Sequence, residues 1–152
     1  MRVNIIAVGK IKENYFTDAI KEYSKRMQRF CDFKIIEVNE ASVIENIEKK
    51  KEIEGEALLS NAKGFIVSLE RQGKQMSSEK FAQVIDEKMS SGYNEISFII
   101  GGSNGISEKV KKSSNLLLSF GEFTYPHQMF RVVLCEQIYR AFTILSNLPY
   151  HK

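Results

Sequence analysis

Apolar and β-branched residues gather in five short runs: Val3 to Val8, Lys34 to Val38, Phe65 to Leu69, Ile96 to Ile100 and Leu116 to Phe120. Each has the length and composition of a buried strand. Between them the spacing turns helical. Tyr15, Phe16, Ala19, Ile20, Tyr23, Met27 and Phe30 form one apolar face, and Phe81, Val84, Ile85 and Met89 another. Residues 43–61 are charged and helix-favouring, with Ile44, Ile47, Ala57 and Leu58 as the inward positions; Gly55 weakens that helix. Ser77 or Ser78 suits the cap of one helix, and Ser107, followed by Glu108, opens a short one through Lys112. A last helix runs from about His127 to Ser146. Strands alternating with helices predict an α/β fold: a mostly parallel sheet of about five strands with helices on both faces, in a single domain over residues 1–152.

The last helix is apolar around most of its circumference. Met129, Val132, Val133, Leu134, Ile138, Ala141, Phe142 and Leu145 are joined by Phe130 and Tyr139, more than one sheet face needs. A helix of this kind is buried on several sides, either deep in its own domain or between subunits. In a chain of 152 residues the room for a central helix is small, which favours a homodimer interface.

Composition narrows the picture modestly. With 43% hydrophobic and 27% charged residues and only two prolines, the chain is globular. Its net charge of +3 is compatible with an RNA partner without requiring one. The cations are uneven: Lys10, Lys12, Lys21, Lys25, Arg26 and Arg29 crowd the first segment, and Lys49 to Lys51 form a run. Such groups hold phosphates through counterion release. The interspersed Glu13, Glu22, Glu48 and Glu52 equally suit a solvated helix face. Cys31 and Cys135 are far apart, which argues against a zinc site or a disulfide scaffold and suits a reducing cytoplasm. MRVNIIAVGKIK is too short an apolar run for a signal peptide, and no stretch has the length of a membrane span. A soluble, cytoplasmic protein with no membrane partner is expected.

The stretch FIIGGSNGISE places three glycines after a strand and before a helix start. It lacks the lysine and the Ser or Thr of a P-loop, and its glycines are neither spaced nor placed for a dinucleotide fingerprint. What remains is a strand end where Gly101 and Gly102 let a flat ligand approach the main chain; a plain turn would want the same glycines. His127 follows Pro126 at a helix start, where the dipole keeps an imidazole neutral, fit for a general base, a hydrogen-bond partner or a simple cap. Arg131 lies on the same helix face. Arg140, nine residues on, faces the opposite side and has the i,i+4 order for an ion pair with Glu136. Tyr150 and His151 sit on a short tail after Pro149, a place where chains are usually disordered. There is no GxSxG, HExxH or Cys–His signature and no metal-ligand set, which favours chemistry without a metal or a covalent intermediate.

Taken in order, IIAVGKIKENYF, VSLERQGKQMSSEKFA, FIIGGSNGI, SFGEFTYPHQMFRVVLCEQIYRAF and the closing PYHK closely resemble the ribosomal RNA large-subunit methyltransferase H family, a minimal branch of the SPOUT methyltransferases. The resemblance spans essentially the whole chain. It implies methyl transfer from S-adenosylmethionine to N3 of a pseudouridine in large-subunit rRNA, a C-terminal trefoil knot and an obligate homodimer. It further implies a cofactor site at Leu69, Gly101 and the loop Phe120, Gly121, Glu122, Phe123, Thr124 and Tyr125. His127 would then be the base or orienting group, and Arg131 would stabilise the imide anion or the cofactor carboxylate. Arg140, Tyr150 and His151 would contact RNA or complete the active site, with the opposite subunit as a source for them. With no appended RNA-binding domain, the dimer would need a large ribosomal surface, the Lys/Arg-rich first helix among its contacts. The rival readings are a SPOUT enzyme acting on another RNA or atom, and a noncatalytic α/β module that binds ribosomes or nucleotides.

Overall fold

The computed structural model describes residues 1–152 and resolves the alternation into ten elements. These are β1 (Arg2–Val8), α1 (Asn14–Met27), β2 (Asp32–Val38), α2 (Ile47–Asn61), β3 (Phe65–Gln75), α3 (Ser78–Ser90), β4 (Glu95–Ile100), α4 (Glu108–Ser113), β5 (Leu116–Ser119) and α5 (His127–Leu145). The five strands make one sheet in the order β2-β1-β4-β3-β5, parallel throughout. All carboxyl ends therefore gather on one edge, where open parallel sheets bind their ligands.

Period-two alternation separates the two layers. Val3, Ile5 and Ala7 of β1 join one core cluster, with Ile20 of α1, Ile85 of α3 and Leu134 of α5. Ile6 and Val8 join the other, with Leu58 of α2 and Val110 of α4. So α1, α3 and α5 cover one face and α2 and α4 the other, the arrangement expected for a sheet buried on both sides.

α5 lies in the layer with α1 and α3, and much of its wide apolar surface is met inside the subunit. Phe30 stacks on Phe142 with centroids 5.6 Å apart, and Tyr139 meets both Tyr23 and Phe30. Of its large apolar residues, only Met129 is exposed in a single subunit.

Three helix starts show their causes. Ser77 caps α3 by accepting from Lys80 N at 3.2 Å, whereas Ser78 donates to Gln137 on α5 at 2.8 Å. Ser107 caps α4, as its position suggested. α2 begins at Ile47 rather than near 43 because Asn46 accepts from Lys49 N at 2.9 Å. Its inward face is Glu54, Gly55 and Leu58, while Ile47 is 53% exposed. Gly55, read as a weakness, is what lets α2 meet α4: a Cβ there would lie 2.6 Å from Ser107 Oγ.

β3 is the other departure. The apolar run stops at Leu69, yet the strand continues to Gln75. Leu69 and Lys74 both pair with Leu118, so residues 70–73 leave the ladder as an excursion before pairing resumes. Alternation cannot report such an insertion, because the residues that leave the sheet are polar and read as loop.

Candidate active site

The ends of β3, β4 and β5 and the segment leading into α5 enclose a cavity of about 170 Å³ at the carboxyl edge. Leu69, Ile100, Leu118, Phe120 and Phe130 supply apolar walls, and Gly101, Gly102, Gly105 and Gly121 bring bare main chain to the surface. Phe123, Thr124, Tyr125 and His127, together with Glu70 and Arg71 just past Leu69, close the remaining side. Of the residues expected to hold a cofactor, Leu69, Gly101, Phe120, Gly121, Phe123, Thr124 and Tyr125 thus share one wall system. Glu122 does not line it; it faces a separate outer hollow with Gln75.

Local geometry explains the loop. Gly121 has φ +102°, a conformation that L side chains rarely adopt, and it donates its N–H to Ser119 Oγ at 3.1 Å. None of the main-chain N–H groups of Glu122 to Tyr125 is hydrogen-bonded within the chain. Tyr125 stacks on Phe130, which meets Phe120 edge-on, so the arm is held by aromatic packing instead.

Gly101 answers to the turn as well as to the cavity. A Cβ there would stand 2.7 Å from Gly105 O and 2.8 Å from Ile106 Cγ2, because the chain folds back through Gly102 and Gly105. The two readings of GGSNG are compatible: the turn demands glycine, and its outer side is the cavity wall.

His127 is half-buried at the head of α5 and lines the cavity. Burial and the nearby Arg131 cation hold its imidazole below the ordinary histidine value, against the opposing pull of Glu40 and Glu54. Glu54 was not foreseen from the sequence. It is buried in α2, its Oε1 accepts from Ala41 N at 3.1 Å, and its Oε2 has no partner. That oxygen faces Gly102, where an added Cβ would stand 2.9 Å away. The only hint along the chain is its i,i+4 relation to the buried Leu58.

Arg131 departs from expectation. Its side chain has no exposed surface and does not line the cavity. Nη2 donates to Val8 O at 2.7 Å and Gly9 O at 2.8 Å, and Nη1 to Glu37 Oε2 at 3.0 Å. Glu37 also accepts from Ile11 N at 2.8 Å. Nη1 and Nη2 tie α5 to Glu37 and the end of β1, and Nε is buried without a partner. The side chain that was expected to meet an imide anion or a carboxylate is thus held beneath His127, away from the cavity wall. Helical periodicity puts both on one face and is silent on which carbonyls lie beneath.

Arg140, Tyr150 and His151 come together, but elsewhere. Arg140 donates to Glu136 Oε1 at 2.5 and 2.9 Å, and Tyr150 Oη donates to the same oxygen at 3.0 Å. Arg140 also lies over the Tyr150 ring, 4.8 Å from its centroid, and 3.2 Å from His151 Nδ1. The far ring nitrogen of His151 lies 2.8 Å from Glu79 on α3. The tail is therefore docked, not frayed. Thirteen residues of helix separate Arg140 from His127, about 20 Å at the rise of an α-helix, so the two groups do not meet within one subunit.

Comparison with known proteins identifies the family. The model of the predicted SPOUT methyltransferase family matches residues 1–151. Two similar relatives bear the name ribosomal RNA large subunit methyltransferase H. One, from Streptococcus agalactiae serotype III, is 47% identical over 160 residues, and the other, from Limosilactobacillus fermentum, is 45% identical over 159; each match covers all of both chains. Among solved structures, a probable methylase family protein from Haemophilus influenzae Rd KW20 superposes with a TM-score of 0.52 at 11% identity, covering 99% of this chain and 70% of that one, a likeness of fold alone. No helix is long and apolar enough to cross a membrane. With a family model matched from end to end and full-length relatives well above the identity at which families hold together, the chain belongs to the SPOUT methyltransferases, in the branch of ribosomal RNA large subunit methyltransferase H.

Proposed function

We propose that this chain transfers a methyl group from S-adenosylmethionine to N3 of a pseudouridine in large-subunit ribosomal RNA, working as a homodimer on the ribosome in the cytoplasm. The observation that carries this is the cavity itself. It sits at the carboxyl edge of a parallel sheet, with apolar faces, unpaired main-chain N–H groups along Glu122 to Tyr125, and a half-buried imidazole at its rim.

The residues present fit the cofactor's chemistry. Leu69, Phe120 and Phe130 offer faces to a purine, and the free N–H groups offer donors to its ring nitrogens. When bound, S-adenosylmethionine supplies an electrophilic methyl on a sulfonium, so the protein's task is to align donor and acceptor. The acceptor is an imide nitrogen that must lose its proton, and His127, kept neutral by its surroundings, accepts it. Arg131 holds the helix that carries His127 against Val8 and Gly9. The C-terminal trefoil knot belongs to the same reading.

A homodimer suits the length of α5. His127 is at one end and the Arg140–Tyr150–His151 group near the other, so two α5 helices packed antiparallel would bring each group beside the partner's cavity. Deleting residues 149–152 is then expected to lower methylation by about tenfold or more, the worth of one charge-assisted hydrogen bond to the RNA. Cofactor affinity should stay nearly unchanged. Collapse of cofactor affinity would instead assign the tail to the cofactor pocket.

Calorimetry with S-adenosylmethionine tests the cavity, since a noncatalytic module would give no heat of binding. Incubating undermethylated ribosomes or isolated subunits with labelled cofactor, and then mapping the modified nucleotide by mass spectrometry, tests the acceptor. Label at another RNA or another atom would overturn it.

A further inference from the structure

Beyond Thr124, Tyr125 and His127, the apolar cavity opens into a second space of about 530 Å³ with a mainly polar lining. Two devices of the fold build it. One is the excursion from β3, pinned where Ser119 Oγ donates to Arg71 O at 2.7 Å and where Gly73 packs against Leu117, an added Cβ lying 2.7 Å from its carbonyl. The other is the Gly102–Gly105 turn, which carries Ser103 and Asn104 at its tip.

The charges around this space are not equivalent. Lys111 is neutralised by Glu70 at 3.1 Å and Glu108 at 3.6 Å, and Lys51 by Glu48 at 3.4 Å. The Arg71 guanidinium has no ion pair or side-chain hydrogen bond, although its own main chain is fixed. The Gln72, Ser103 and Asn104 side chains are likewise without partners and exposed. An uncommitted guanidinium suits a phosphate, since its planar fork reads two oxygens at once. An amide carries both a donor and an acceptor, as the edge of a uracil-type base does.

We propose that this polar space receives the acceptor nucleotide of a single-stranded RNA segment, with Arg71 on the phosphate beside it and Asn104 on the edge of its base. The nucleotide would lie across His127, which like Arg71 lines both spaces, so the guanidinium stands at their boundary. This rests on the reading of the neighbouring cavity as the methyl-donor site.

The test compares full-length Arg71→Gln, Arg71→Lys and Asn104→Ala with the parent chain. For each, the affinity for S-adenosylmethionine is measured by calorimetry, methylation of undermethylated ribosomes by kinetics, and ribosome affinity by filter binding across a salt series. Arg71→Gln should raise KM for ribosomes about tenfold and reduce the slope of log affinity against log salt by about 0.7, one single-strand phosphate contact. Its cofactor affinity should stay within about twofold, and Arg71→Lys should recover the slope because it keeps the charge. Asn104→Ala should raise KM without changing the slope. An unchanged KM and slope in Arg71→Gln would overturn the proposal. So would loss of cofactor affinity, which would make Arg71 a ligand of the cofactor's carboxylate. A parent chain that binds no cofactor would sink the reading of the first cavity, while the filter-binding comparison would still decide this one.

Discussion

Replacing His127 by alanine is expected to lower methyl transfer by about a hundred- to ten-thousand-fold, the usual worth of a positioned general base. Cofactor affinity should barely move, because the apolar walls and the free N–H groups are left in place. The pH dependence makes the claim sharper. Burial and Arg131 lower the imidazole's affinity for protons, so the parent rate should climb with pH through an inflection below about 6.5 and then level off. Below the inflection the ring already holds the proton that it has to accept. The alanine variant should lose that inflection. Stability shifts in the same sense: below about pH 6.5 the unfolded chain takes up the proton more readily than the native one, and the native state loses ground. Full methyl transfer by His127→Ala across the pH range would remove the residue from the mechanism.

Arg131→Ala should act first on the fold. It strips Val8 O and Gly9 O of their donor and leaves Glu37 without its cation. The Glu37 side chain is 37% exposed, so its lost pair adds little. The cost comes from the main-chain acceptors left without a donor, on the order of 1–3 kcal/mol each, which for a chain of this size is a fall of about 10 °C in Tm. A second readout separates positioning from mere destabilisation. Without the cation, the His127 inflection should move upward, and its titration by NMR follows that directly. A variant that keeps its Tm and its His127 titration would show that the guanidinium does neither job.

Much of the frame was legible in the order of residues because it rests on local periodicity. Val3, Ile5 and Ala7 against Ile6 and Val8 already describe a strand buried on two faces. Ser107 before Glu108 marks a helix start that the hydroxyl then makes. What stayed hidden depends on partners distant along the chain. Arg131 reads as a cation on the His127 face of its helix until Val8 and Gly9, more than 120 residues away, are found under its guanidinium. Glu54 reads as one more acid in a charged helix, yet it is buried with a bare oxygen. Tyr150 and His151 read as a loose tail until Glu136, Arg140 and Glu79 are seen to hold them. The cofactor loop lies between these cases: its glycines reveal conformation, and only the resemblance in its flanking motifs named a ligand.

The excursion between Leu69 and Lys74 separates two jobs that a strand usually combines. Register is set on either side of it, by Leu69 and Lys74 against Leu118, and the excursion is pinned through main-chain atoms at Arg71 and Gly73. The side chains at 71 and 72 therefore contribute to no ladder and to no core. Exchanging them leaves strand pairing untouched, so this is the part of the molecule where selectivity could drift or be re-engineered at little cost to folding.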